Sequence, residues 1–204
     1  MLSNSWTTSR TPQPARSARR TCANGSRTIR LPDHTVRIRT ARPGDASAVQ
    51  GIYDYHVAHG TGTFDAEGPD EAEWAAKIGS VCARGWPFLI AARSEAVAGY
   101  GYAAQFRDRA AYARTCENSI YVAHEQRGKG IGRLLLDALI HAARESGFEQ
   151  MIAIIGGGEP ASVALHTSAG FVHAGRLRNV GWKFGRSLDT VYMQRDLANG
   201  GSCL

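Results

Sequence analysis

The sequence predicts a single α/β domain, a mixed sheet covered by helices, and three observations carry that prediction. Apolar residues recur with period two in short segments and with helical spacing in longer ones, and the two kinds are interleaved. The order is rich in strands at its centre and then runs strand, helix, strand, helix, strand. The chain of 204 residues is 43% hydrophobic, enough for one ordinary core, and no internal repeat divides it.

Residues 35–40 alternate Val36 and Ile38 with Arg37 and Arg39, the pattern of a half-exposed strand. After the Pro43-Gly44 turn, residues 45–57 place Ala48, Val49, Ile52, Tyr53 and His56 on one helical face. A loop carrying Gly60, Gly62, Gly68 and Pro69 precedes a second helix over 71–81, where Trp74 and Ile78 lie four apart. Strands follow at 87–93 and 97–106 around a short turn at 94–96, and again at 116–122. The clearest helix covers 131–146, with Leu134, Leu135, Ala138, Leu139 and Ala142 in one stripe. A strand at 150–155, a short helix at 161–169 ended by Gly170, and a strand at 188–194 complete the domain. Its limits are set at 35–197, leaving 198–204 as a C-terminal tail.

Residues 1–34 are rich in Ser, Thr, Arg and Pro and show neither period, which predicts a disordered extension. Its composition resembles an organellar transit peptide, but it has no apolar h-region of a secretory signal. Six of the 24 basic residues lie within residues 1–32, which hold no acid, leaving 18 to balance the 18 acidic ones from Asp33 onward. The net charge of +6 is therefore a property of the tail, and the neutral body argues against nucleic acid as partner. No apolar run reaches 18 residues, so no membrane helix is expected. Cys22, Cys82, Cys116 and Cys203 are scattered, which argues against disulfides and structural zinc and for a reducing, cytoplasmic setting.

The most informative stretch runs from Ile120 to Arg133: a strand ends, three alternating glycines follow, and a long helix begins. Glycine allows a tight turn and close approach of backbone N–H groups to a ligand, and the helix start adds free donors and a positive dipole end. Such an array suits phosphate or pyrophosphate, and Arg127, Lys129 and Arg133 add charge at its mouth. A Walker loop requires Ser or Thr after the lysine, and Gly130 stands there. The dinucleotide pattern G-x-G-x-x-G fails at Leu135 and lacks an early βαβ unit. A plain glycine-rich turn stays open on these residues alone.

Arg127-x-x-Gly130-x-Gly132, after a strand ending Ile120-Tyr121-Val122, resembles the acetyl-CoA signature of the GNAT family of N-acetyltransferases. Four further blocks resemble one branch, the phosphinothricin and methionine sulfoximine/sulfone acetyltransferases. They are Phe106-Arg107-x-Arg109-x-x-Tyr112, Thr115-x-Glu117-x-Ser119-Ile120, Leu165-His166-x-x-x-Gly170-Phe171 and Gly181-Trp182-Lys183-Phe184-Gly185-Arg186. The resemblance spans residues 36–197 and implies a mixed, mostly antiparallel central sheet flanked by helices, acetyl-CoA as co-substrate, no metal, and a homodimer. It implies that Ile120, Tyr121 and Val122 pair with pantetheine and that residues 127–133 (Arg127, Gly128, Lys129, Gly130, Ile131, Gly132, Arg133) hold the pyrophosphate. Ser162 and Ser168 join the cofactor site by the same resemblance. Glu159 stands where the family usually has an asparagine that bonds pantetheine, and a carboxylate cannot donate as an amide does.

The chemistry needs a base for the acceptor ammonium, a donor for the thioester oxyanion and an exit for the thiolate. Glu117, within an otherwise apolar strand, is the expected base, because burial raises a carboxyl pKa toward neutrality. A backbone N–H near Val122 is the expected oxyanion donor if the strand is splayed there. His166 is expected as acid or orienting group in place of the tyrosine of many relatives. Cys116 has no adjacent base for a covalent mechanism. Arg107, Arg109 and Tyr112, with Asn118 and Ser119, are expected to hold a small amino-acid-like acceptor through its acid groups. Phe64 and Trp74 are read as core or pocket walls. Two readings remain beside this one: the same fold with another amine, and a CoA-binding module of weak activity.

Overall fold

The computed structural model describes residues 27–31 and 34–198. In chain order the elements are β1 (Arg27–Leu31), β2 (His34–Thr40), α1 (Ala46–His59), α2 (Glu71–Ala83), β3 (Phe88–Arg93) and β4 (Ala96–Gln105). They continue with β5 (Thr115–Val122), α3 (Ile131–Glu145), β6 (Gln150–Gly156), α4 (Pro160–Ser168), β7 (Val172–Lys183) and β8 (Arg186–Asp196). The eight strands form one sheet in the order β1-β2-β3-β4-β5-β6-β8-β7, antiparallel at every junction except β5–β6.

Local chemistry accounts for the boundaries. Asp70 accepts from Glu73 N at 2.8 Å while Glu73 accepts from Asp70 N at 2.9 Å, a reciprocal box that starts α2. Ser94 and Glu95 both take positive φ, 47° and 67°, which gives the two-residue β3–β4 connection the twist of a primed hairpin turn. Pro160 occupies the first turn of α4, where no intrahelical N–H is needed.

The sheet separates two cores because successive strand residues face opposite ways. Val36, Ile38, Leu89, Ala91 and Cys116 meet Leu135, Leu136, Leu139 and Ala143 of α3 on one face. Phe88, Ile90, Ala92 and Tyr100 meet Val49, Ile52 and Tyr53 of α1 and Trp74 and Ile78 of α2 on the other. The buried stripe of α3 is rotated from the one expected: Leu136 and Ala143 replace Leu134, Ala138 and Ala142, which pack at its margin. In α1, Ala48 is exposed, and Ala46 and Val57 join the buried face.

Two strands correct the sequence reading. Arg27–Leu31, placed within the disordered extension, forms β1 and pairs with residues 34–38. An edge strand needs only one neighbour and little apolar burial, so composition hides it. The rest of the expected extension, residues 1–26 and 32–33, and residues 199–204 of the expected tail lie outside the described residues. β7 had no predicted counterpart; it is almost wholly exposed and its register jumps between Leu177 and Gly181, which erases any period-two signal.

Leu139 is fully buried between α3 and the sheet. Leu139→Ala should cost about 2–5 kcal/mol of stability, read as a lower urea midpoint with unchanged slope.

Candidate active site

β5 and β6 pair in parallel from Thr115↔Gln150 to Asn118↔Ala153 and then part. Beyond that point β5 stays with β4 through Val122↔Gly99, and β6 stays with β8 through Gly156↔Thr190. The gap is a cleft of about 750 Å³. Its walls are the two strand ends, the start of α3, the α4 helix and the loop 60–64.

The ladder shows what β5 offers the gap. Phe106 N donates to Thr115 O at one end and Ala123 N to Ala98 O at the other, both at 3.0 Å. Alternation by two then directs the backbone groups of residues 117, 119 and 121 to β4. Those of Ile120 and Val122 are turned to the edge that β6 has left. This splay is the one anticipated near Val122.

The glycine loop closes one end of the cleft. Gly128 and Gly130 have φ of 73° and 78°, a conformation other residues rarely adopt, and Gly130 caps α3. Arg127, Gly128, Gly130, Ile131 and Gly132 line the cleft, as do Ile120, Tyr121, Val122, Glu159 and Ser162. Three residues expected in the cofactor site are directed elsewhere. Lys129 Nζ donates to Glu125 O at 2.7 Å. Arg133 bonds Asp137 one turn on and donates to Ser168 O and Oγ at 2.9 and 3.0 Å, fastening α3 to the end of α4. Helical periodicity explains the difference, since Asp137 is the i+4 neighbour of Arg133. Glu159, at the N-cap of α4, is exposed and makes no side-chain cap.

The turn after β6 forms the opposite wall. Gly157 and Gly158 both have positive φ, and a Cβ on Gly157 would lie 2.5 Å from Thr61 Oγ1. Gly156 and Gly157 thus permit loop 60–64 to approach β6 closely and bring Phe64 to the cleft, whereas Trp74 is fully buried core.

Glu117 and Asn118 diverge by the pleat. Glu117 faces the side of α1 and α2, half-buried, and lines the cleft with Ser119 and Tyr121. Burial raises its carboxyl above the usual range, while the nearby Arg107 and Lys77 charges oppose that rise. Lys77 is held by Tyr102, donating to its hydroxyl at 2.7 Å and lying 4.4 Å over its ring centre. Asn118 faces α4: its Nδ2 donates to Ile152 O at 3.2 Å, which turns Oδ1 to His166 Nε2 at 3.1 Å. His166 Nδ1 lies 2.8 Å from Ser162 O, and burial lowers the ring's pKa. Both of these oxygens, Ser162 O and Asn118 Oδ1, only accept, so the neutral ring, with a single N–H, donates to one of them, and its contact with Asn118 links α4 to β5. Asn118 is its partner rather than a group free for the acceptor.

Arg107, Arg109 and Tyr112 lie outside the cleft wall, on the β4–β5 connection. Arg107 stacks on Phe106 at 4.4 Å, Tyr112 meets the same ring edge-on, and Gln105 Nε2 donates to Arg107 O and Arg109 O. Cys116 is buried, with its thiol pushed up to about 12 by burial, which leaves it without thiolate character. His56, Thr63, Phe184, Arg186 and Thr190 line the cleft without having been singled out as site residues. His56 in particular read as part of an apolar helix face. Among the described residues no cluster of His, Cys, Asp or Glu could hold a metal ion, and no helix is long and apolar enough to cross a membrane.

Comparison with known proteins places this geometry. Residues 38–192 match the Acetyltransferase (GNAT) domain family. The chain is 43% identical over 168 residues to a phosphinothricin N-acetyltransferase of Alcaligenes faecalis, covering 82% of this chain and 85% of that one. It is 37% identical to an L-methionine sulfoximine/L-methionine sulfone acetyltransferase of Pseudomonas aeruginosa, over 80% of this chain and 95% of the relative. The crystal structure of a phosphinothricin acetyltransferase from Sinorhizobium meliloti in complex with AcCoA superposes with a TM-score of 0.79 at 41% identity, covering 83% and 92% of the two chains. The splayed strands, the glycine loop and these similarities agree, and the chain belongs to the GNAT acetyltransferases, in the phosphinothricin and methionine sulfoximine acetyltransferase branch.

Proposed function

We propose that the protein transfers the acetyl group of acetyl-CoA to the α-amine of a small amino-acid analogue such as phosphinothricin, methionine sulfoximine or methionine sulfone. The observation that carries this reading is the half-buried Glu117 carboxylate beside the splayed end of β5, with Arg107 close enough to act on its charge. The relatives named above act on these acceptors by name.

In this reading the pyrophosphate lies on the N–H groups of the 128–132 loop, and pantetheine pairs with the free edge of β5 at Ile120, with the Val122 N–H left for the thioester. Glu117 takes a proton from the acceptor ammonium, directly or through a water. The freed amine attacks the thioester carbon, the oxyanion is held by Val122 N–H, and the C–S bond breaks as the nitrogen's second proton passes to the departing sulfur, releasing CoA as its thiol. Burial matches Glu117 to that task by bringing its proton affinity closer to neutral. Arg107 and Arg109 supply charge for the acceptor's acid groups. His166 serves as an orienting group. The edge strand β7 exposes Leu177, Val180 and Trp182, the last 72% accessible, and this apolar edge supports assembly as a homodimer.

Acetyl-CoA consumption measured across phosphinothricin, methionine sulfoximine, methionine sulfone, plain amino acids and polyamines tests the acceptor. The first three should lead; preference for polyamines would overturn it. Glu117→Gln should lower kcat by about 10²–10⁴ at neutral pH with little change in CoA affinity. The same variant should raise the thermal midpoint at neutral pH. A carboxyl whose folded pKa is raised binds more protons folded than unfolded, so its charge destabilises the fold above that pKa. The gain should fade as pH falls below the ordinary carboxylate range. Sedimentation velocity should give a dimer that Trp182→Glu weakens.

A further inference from the structure

His56 lies on α1, remote in sequence from the motifs of the cleft, yet its two ring nitrogens connect the end of β5 to the glycine loop. Nε2 is 3.0 Å from Val122 O, and a carbonyl only accepts, so Nε2 carries hydrogen. Nδ1 is 3.3 Å from Arg127 Nη2, and a guanidinium only donates, so Nδ1 is bare. The neutral Nε2–H tautomer satisfies both partners. An imidazolium would satisfy one and set a second cation against Arg127. Burial, opposed by the bond to Val122 and reinforced by Arg127 and His124, holds the ring below the usual histidine pKa. The other groups against it are Tyr121, edge-on at 5.1 Å, and Tyr55 at 6.3 Å.

Val122 needs such a partner. Its carbonyl faces the edge that β6 has left, and a half-buried carbonyl without a donor is costly. With His56 on the carbonyl and Ala98 O accepting from Ala123 N at 3.0 Å, the last peptide of β5 is fixed at both ends. That fixes the direction of the Val122 N–H one step earlier in the strand.

We propose that His56 is a positioning residue of the transfer reaction: as the neutral Nε2–H tautomer it locks the Val122 peptide at the thioester end of the cleft and ties it to Arg127 in the glycine loop. Occupation of the loop is thereby felt where the acetyl group sits. This rests on the acetyl-CoA reading above.

The test compares wild type, H56Q, H56F, R127A and H56F/R127A in steady-state kinetics, CoA calorimetry and thermal melts of the full chain. Phe removes the donor; Gln retains an N–H for Val122 without titrating. Loss of one hydrogen bond corresponds to about 3–10-fold, so H56F should lower kcat by that factor and H56Q should restore most of it. The H56F loss should shrink in the R127A background, because the link is already cut. Imidazole ¹⁵N spectra should show the Nε2–H tautomer of His56 at neutral pH, altered by R127A. A kcat for H56F within twofold of wild type, multiplicative losses in the double variant, or equal losses in H56Q and H56F that track the melting point would each overturn the proposal. If H56F does not fold, the wild-type and R127A spectra decide it: an Nδ1–H tautomer, or no response to R127A, overturns it. Failure of wild type to bind CoA would instead overturn the acetyl-CoA reading itself.

Discussion

The parting of β5 from β6 after Asn118 and Ala153 is the constraint on which the rest of the structure depends. A sheet interior normally pairs every backbone donor and acceptor, because an unpaired group away from water is costly. Here two central strands keep their outer neighbours and lose each other, so the inner edge of Ile120 and the Val122 N–H stand ready for a ligand. The surrounding architecture holds that gap open. α3 and α4 close it from one face, α1 from the other, and the turn at Gly156–Gly158 bears loop 60–64 against its rim.

The pleat distributes the chemistry around the same gap. Glu117 points to the face of α1 and α2, where Lys77 and Arg107 temper the effect of its burial. Asn118, one residue on, points to the other face and engages His166. A one-residue slip of β5 would exchange the two faces, placing the carboxylate against His166 and α3. The tight pairing of β5 with β4 over seven residue pairs is thus a condition of activity as well as of folding.

Much of this was legible in the sequence where the signal is local. The extent of α3, the strand ending at Val122 and the glycines at 128–132 each lie within one short window, and burial of Glu117 followed from the apolar strand around it. β1 was hidden because an edge strand pairs with one neighbour only, and β7 because its exposed faces carry no period-two burial. His56 escaped notice for a different reason: its partner Val122 is 66 residues away, and only the fold joins them. Arg133 and Lys129 show how nearness in sequence and side-chain contacts can differ. Their nearness to the glycine loop suggested an anion site, yet Asp137, Ser168 and the Glu125 carbonyl take them up.

The central claim is that acetyl-CoA occupies the gap between β5 and β6. Amide hydrogen exchange with and without acetyl-CoA measures it residue by residue. Slowed exchange is expected at the Ile120 and Val122 amides and at Gly130 to Gly132, with Ser119 and Tyr121, already paired to β4, little changed. Protection confined to other segments, with Ile120 and Val122 exchanging at the same rate in both states, would contradict it.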